Sequence, residues 1–349
     1  MKFTFEKVTD KKMWNSFVES SPQGTIFSNT DYLESSQANY QLYFVYRGED
    51  IRAGVALCLS NDGKDIILDD FVIYNGIMFH FDPEQKETSA KLERQTITEY
   101  IIEKLTKLYK NIEISLAPQF EDLRPFLWHN YGSRKQDETF KLNLRYTSYL
   151  NIAEFRSNKN IFKMQLFKEM GRLRRRRIKE AIKNEAIVTE KGNLDYLINF
   201  YEHTLEKENV KISTKKINRI KLLHSKLNEL DLGKTFFVIE KDNFVSYVIS
   251  VCYDNKRSYA LFASGNPESD LRYPGTFAYW NAAKYLSISK QIDILDLEGL
   301  NSPRRSWFKI GLGGSINNYF EVSLGVKKAF DPINDQLDHH YLNEIEGLF

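Results

Sequence analysis

Polar and apolar positions alternate along Lys2–Val8, the two-residue period of a half-buried strand. Asp10 then precedes a run to Val18 with helical spacing and suits the N-cap of that helix. The alternating runs Leu42–Arg47 and Ile51–Leu59 flank Gly48-Glu49-Asp50, which predicts a β-hairpin. Ile66–Phe81 is apolar and strand-rich. Leu92, Ile97, Ile101, Leu105 and Leu108 set a helical period over Ser89–Lys110. Ile112–Leu116 reads as a strand, Glu121–His129 as a short helix and Phe140–Leu144 as another strand.

The second half repeats this order. A long amphipathic helix is predicted over Asn160–Lys183, with Leu166, Met170, Leu173, Ile178, Ala181 and Ile182 on roughly one side. A strand at Ala186–Glu190 and helices near Leu194–Lys207 and Thr214–Leu230 follow. Strands are predicted at Thr235–Glu240, Val245–Tyr253 and Tyr259–Ala263, then a helix over Gly275–Ile288 and strands at Ile292–Leu297 and Ile316–Val322. Without gaps, Val45–Cys58 lies over Ile239–Cys252, and Ile112–His129 over Ile292–Lys309. The second register sets Arg124 on Arg304, Trp128 on Phe308 and His129 on Lys309. The repeated order of elements predicts a duplicated mixed α/β domain: residues 1–148, residues 149–330, and a polar tail or short terminal helix at 331–349.

Composition narrows the class. A chain of 349 residues exceeds what one hydrophobic core usually fills, and 20 Tyr with 24 Phe can fill two. Cys58 and Cys252 sit in apolar alternating runs, which predicts buried thiols in a reducing compartment and no disulfide framework. No clustered His/Cys spacing points to a metal, and His339-His340 is expected at the surface. The alternating start is unlike a signal peptide, and no apolar stretch is long enough to span a bilayer. A cytoplasmic protein is expected. The net charge of +2 hides an asymmetry: Phe162–Lys183 holds nine Lys or Arg and two Glu, so the rest of the chain is net acidic.

Candidate chemistry concentrates between Gln291 and Gly314. Asp296 and Glu298 are two apart, so an extended strand sets both on one face, shared with Ile292 and Ile294. A carboxylate on a face that begins apolar is placed to have a raised pKa and to accept a proton. Arg304 and Arg305 follow in a loop. Lys309 lies between aromatic residues and Gly311, where an ammonium can hold an oxyanion or a phosphate. Gly311, Gly313 and Gly314 allow close backbone approach to a ligand, but they match neither a Walker loop nor a dinucleotide fingerprint. Arg174, Arg175 and Arg176, within five arginines in six positions, make a cationic surface suited to phosphates. Arg272-Tyr273-Pro274-Gly275-Thr276 opens a helix carrying Tyr279 and Trp280, and its free N–H groups can meet an anion. Tyr74 lies in an aromatic turn of the first half and is a candidate to line a substrate cleft.

These residues resemble the FemAB-like acyltransferases. Phe308-Lys309 followed by Leu312-Gly313-Gly314 is similar to that family's "FK…FGG" element, and Asp296-Leu297-Glu298-Gly299 to its "D…G" strand end. Tyr273-Pro274 with Trp280 through Ala283 resembles its "P…L.W..I..A" helix, Gly24–Ser28 its "GTIFQS" pattern, and Asp122–Trp128 a first-domain ending of related sugar N-acyltransferases. The likeness runs through most of residues 14–322 in short, degenerate motifs. It implies an α+β fold of two tandem GNAT-like domains, with mixed, mostly antiparallel sheets flanked by helices, and the active site in the second. It implies amide formation, with acyl-CoA or aminoacyl-tRNA as donor, no metal, Lys309 stabilising charge on the donor and Asp296 or Glu298 acting as base. Two features of related enzymes are absent: the R/QxxGxG/A coenzyme A loop of simple GNAT enzymes and the coiled-coil insertion of the tRNA-dependent staphylococcal members.

The resulting expectation is an amide-forming N-acyltransferase of polysaccharide or cell-envelope biosynthesis that takes its acyl group from an acyl-CoA donor. Its acceptor would be the amino group of a cell-surface glycan or of a nucleotide- or lipid-linked sugar. Two alternatives stand beside it: an aminoacyl-tRNA-dependent ligase of peptidoglycan precursors, and a non-catalytic protein binding RNA or an anionic membrane surface through its arginines.

Overall fold

A computed structural model describes residues 2–133, 135–158, 160–207 and 211–325; the 331–349 tail and His339-His340 lie outside the described residues. A first compact unit runs to Arg145 and takes the chain back from Asn318, and a second spans Tyr146–Asn317.

In the first unit β1 (Phe3–Lys7) is followed by α1 (Lys11–Ser20), capped by the Asp10 carboxylate, and α2 (Thr30–Ser35). Strands β2 (Tyr40–Arg47), β3 (Asp50–Cys58) and β4 (Gly76–Phe79) complete an antiparallel sheet in the order β1-β2-β3-β4. Gly48 turns the predicted hairpin at φ +66°. Next come α3 (Glu87–Leu108), β5 (Ile112–Ser115), α4 (Arg124–Trp128) and β6 (Lys141–Asn151), which carries the chain into the second unit. Of the apolar Ile66–Phe81 region only β4 is a regular strand, because isolated bridges and turns take up the remainder.

The second unit holds α5 (Glu154–Ser157), α6 (Gln165–Glu169), α7 (Arg172–Lys183), β7 (Ile187–Thr189), α8 (Asp195–Lys207) and α9 (Thr214–Glu229). Then follow β8 (Gly233–Ile239), β9 (Val245–Tyr253), β10 (Ser258–Gly265), α10 (Pro274–Lys290), β11 (Ile294–Asp296), α11 (Pro303–Ile310) and β12 (Ser315–Leu324). The end of β6 pairs with β11, and the sheet continues β11-β10-β9-β8-β7, antiparallel except for the parallel β10–β11 pair. Helix α10 starts at Pro274 and stops at Gln291 in the left-handed conformation. Its Ala278, Ala282 and Ala283 let it lie close on Ile249, Val251 and Phe236 of the sheet. The far end of β12 pairs with β5, and Val322 and Leu324 fill the first unit's core beside Ile112 and Ile114.

Both aligned registers match repeated elements. A hairpin, β2–β3, lies over another, β8–β9. A strand followed by a short helix, β5 and α4, lies over β11 and α11. The single helix expected over Asn160–Lys183 is broken into three pieces. Met164 and Met170 are extended and buried, and the Gly171 N–H leaves the helical ladder to donate to the Gly311 carbonyl at 2.9 Å. The expected loop around Arg304 and Arg305 is helical, with Pro303 at the position where its missing N–H costs nothing. Cys58 and Cys252 are buried.

Candidate active site

Everything that gathers around Lys309 belongs to the second unit. Strand β11 ends with Asp296 opposite Tyr149 of β6 and beside Tyr259 of β10. Asp296 is fully buried. Its Oδ1 accepts from the Thr147 hydroxyl and, at 2.8 Å, from the Glu298 N–H. The strand pattern expected to continue to Leu297 stops there. Glu298 and Gly299 have φ of +52° and +43°, while the Leu297 and Leu300 N–H groups donate to the carbonyls of Ser148 and Tyr146. The two carboxyls are therefore brought together by a left-handed turn anchored on Asp296, and not by the alternation of a strand.

That turn buries Glu298, and its Oε1 has no hydrogen-bond partner among the described residues. Burial, reinforced by the charge of Asp296 and opposed by Lys309, lifts the Glu298 carboxyl well above the ordinary carboxylate range. Lys309 lies in the last turn of α11 and reaches back, its Nζ donating to the Glu298 carbonyl at 2.9 Å. Burial pushes its ammonium down to about 8; Glu298 opposes the shift and Arg305 adds to it. Gly299 supplies the positive φ of the turn, and a Cβ there would stand in ordinary contact, 3.4 Å from Nζ.

Arg174 of α7 lies against the aromatic pair that precedes Lys309. It is 6% exposed and lies 4.3 Å from the Phe308 ring centre and 4.9 Å from that of Trp307. Burial pulls its guanidinium down to about 10, and it has no ion pair or hydrogen bond among the described residues. A cation desolvated on two aromatic faces, without a counter-ion among the described residues, is a candidate to hold an anion. Gly311 makes the space: a Cβ there would come within 3.1 Å of Arg174 Nε. Gly313 takes φ +93°, and a Cβ on Gly314 would strike Ser148 Oγ at 2.3 Å. These two glycines serve close packing and a turn.

The other expected site residues are scattered. Arg305 is exposed on α11 and acts electrostatically on Lys309 and Tyr279; of Arg304 only the backbone is described. Arg175 and Arg176 point to a different face of α7 from Arg174. Tyr279 is buried edge-on to Phe308, close enough to feel Glu298. Trp280 packs in the core on Phe155 and Phe167. Tyr74, in the first unit, is buried between Phe27 and Tyr319. Tyr273 is buried and donates to Glu240 at 2.6 Å, while Gly275 fits under the Tyr247 ring. The start of α10 thus faces a carboxylate and an aromatic ring. Sequence reasoning missed Tyr247 of β9, which interacts with both Arg174 and Tyr279. Its only signal was its place in an alternating strand.

No family model and no curated protein matches the sequence. Solved structures do match its fold. FemX aligns over 92% of this chain and 97% of its own, with TM-score 0.61 and 13% identity. A tandem GNAT protein from the clavulanic acid biosynthesis pathway aligns over 94% and 100%, with TM-score 0.51 and 9% identity. L-PGS from Bacillus licheniformis aligns over 94% and 95%, with TM-score 0.51 and 10% identity. The chain therefore has a tandem GNAT-like fold of the FemAB acyltransferase type. Among the described residues no helix is long and apolar enough to cross a membrane, and no cluster of metal-ligating side chains occurs.

Proposed function

We propose that the chain is an amide-forming acyltransferase that works at the amino group of a glycan or cell-envelope precursor. The observation that carries this is the Glu298 carboxyl. It is buried, raised in pKa and has an open oxygen, and it sits beside a lysine whose ammonium is poised near neutral pH. A base with a raised pKa accepts a proton most effectively near the working pH. The acceptor nitrogen attacks the donor carbonyl carbon, the C–N bond forms, and Glu298 takes the amine proton. Lys309 stabilises the negative charge on the carbonyl oxygen until the bond to the leaving group breaks. Arg174 holds an anionic group of one substrate. Asp296, already occupied by Thr147 and the Glu298 N–H, positions the turn.

An ester donor such as aminoacyl-tRNA is the better-supported half of the donor question. At the start of α10, where a coenzyme diphosphate would need free N–H groups, the Tyr247 ring lies 3.0 Å from where a Cβ on Gly275 would stand. The likeness of the fold to FemX and to the C-terminal domain of a putative lysylphosphatidylglycerol synthetase from Agrobacterium fabrum agrees with that choice. The test offers charged tRNA or an acyl-CoA mixture as donor and amino sugars or muropeptides as acceptors, with product mass read by mass spectrometry. RNase-sensitive transfer supports the ester donor, and RNase-resistant transfer from acyl-CoA replaces it. Unchanged transfer by Lys309→Ala would sink the site assignment.

A further inference from the structure

The lysines of this chain differ in what holds their charge. Lys91 and Lys135 are exposed beside Glu87 and Glu138, which keep their ammonium groups above the ordinary lysine range. Lys309 is half-buried, and burial brings its ammonium down to about 8. The charged groups around it come from several elements. Glu298 and Asp296, at the end of β11, favour the ammonium, and Arg305 of its own helix opposes it. On the neighbouring Phe308 ring lie Arg174 of α7 and Tyr279 of α10. Nζ donates to the Glu298 carbonyl at 2.9 Å and makes no ion pair within 4 Å among the described residues. A carbonyl and two carboxylates beyond contact range hold the proton less firmly than a paired glutamate does.

A lysine that is partly neutral near pH 7 is a nucleophile. At a pKa near 8 about one Lys309 in ten is neutral at pH 7, against fewer than about one in a thousand for an exposed lysine. Lower basicity takes back part of that gain, as it does for thiolates, which leaves an advantage on the order of tenfold. The transfer reaction already brings an acyl carbonyl to Nζ, and for that approach alone the inference rests on the proposed function. We propose that Lys309 is also a site of self-acylation, taking an acyl group from a thioester or an acyl phosphate and so switching the transfer site off. The Nζ lone pair attacks the acyl carbon and a C–N bond forms. The C–S or C–O bond breaks, its electron pair leaving with the thiolate or phosphate, and the Nζ proton passes to the Glu298 carboxylate. The product is a neutral amide, which can no longer stabilise charge on a carbonyl oxygen. Glu298 also loses the ammonium that opposes the effect of its burial.

The test pulses the full chain with acetyl phosphate and, separately, with the acetyl thioester of N-acetylcysteamine, from about pH 6.5 to about pH 9.5. Acetylated lysines are quantified by peptide mass spectrometry. Near neutral pH Lys309 should react on the order of tenfold faster than Lys91 and Lys135. Its rate should level off above pH 8 while theirs keep rising. Reaction with one reagent alone identifies which class of acyl donor reaches the site. In Lys309→Arg the fast site should vanish, with a melting temperature like that of wild type. Lys309 acetylated no faster than Lys91 and Lys135 by either reagent would overturn the proposal, as would a fast site that persists in Lys309→Arg. So would full transfer activity in protein whose Lys309 is fully acetylated. Acetylation is read by mass without any transfer reaction. It can therefore fail while the transferase reading stands, and an unmodified chain without transfer activity would sink that reading while leaving the reactive lysine in place.

Discussion

Two polar clusters are buried in the second unit, and each leaves one side-chain atom without a partner. In the first, His224 of α9 meets the Ser250 hydroxyl of β9 at 2.8 Å, and its Nε2 has no partner. In the second, Glu298 leaves Oε1 unpaired beside Lys309. The difference lies in what surrounds the orphan. His224 packs on the Phe262 ring, and burial holds it neutral, pulled down to about 4. Glu298 has the Asp296 carboxylate and the Lys309 ammonium acting on it, with the Arg305 guanidinium acting on that ammonium in turn, so its proton and charge have somewhere to go. A buried titratable group is ordinary core architecture; opposed charges gathered about an unpaired oxygen are what chemistry needs.

Variants can break this contrast. The largest effect is expected from Lys309→Ala and Glu298→Gln. Each should lower the transfer rate by about 10²–10³-fold while leaving the melting temperature nearly unchanged. His224→Gln should do the opposite, shifting the denaturant midpoint and sparing the rate at 25 °C. Equal losses of rate in both clusters would erase the distinction.

Acid should separate them next. The His224 pKa is lower in the folded than in the unfolded chain, so the native state binds fewer protons. Its contribution is fully present above pH 6.5 and is lost as pH falls toward 4, on the order of 3 kcal/mol. Urea midpoints measured from pH 7 to pH 4 should fall less steeply in His224→Gln than in wild type. A smaller effect concerns the alkaline side. Transfer requires Glu298 deprotonated and Lys309 protonated, so the rate should rise with pH and then decline around 8 as the lysine loses its proton. Lys309→Arg should remove that decline, and an unchanged alkaline limb would assign it to another group.

Much of the frame was legible in the sequence. Alternation and Gly48 predict the first hairpin, and Pro274 marks the start of α10. The repeated order of elements matches the two tandem folds. What escaped depends on contacts distant in sequence. The break at Gly171 exists because Gly311 accepts its N–H. The chain's return to the first unit at Asn318 follows from the pairing of β12 with β5. At the site, the types Asp296, Glu298 and Lys309 could be read from spacing, but their division of labour could not. A strand pattern gives two carboxyls the same face, and only the left-handed turn shows that one is hydrogen-bonded and the other open. Tyr247 and the sorting of Arg174 from Arg172, Arg175 and Arg176 likewise needed the neighbouring elements.

The most direct test of the central claim is the transfer rate of Asp296→Asn set beside that of Glu298→Gln, with the same donor and acceptor. An asparagine oxygen can still accept from Thr147 and from the Glu298 N–H, so Asp296→Asn should keep its rate within about tenfold of wild type. Glu298→Gln should lose at least about 10²-fold. The reverse order, with Asp296→Asn nearly inactive and Glu298→Gln close to wild type, would make Asp296 the base and contradict the account.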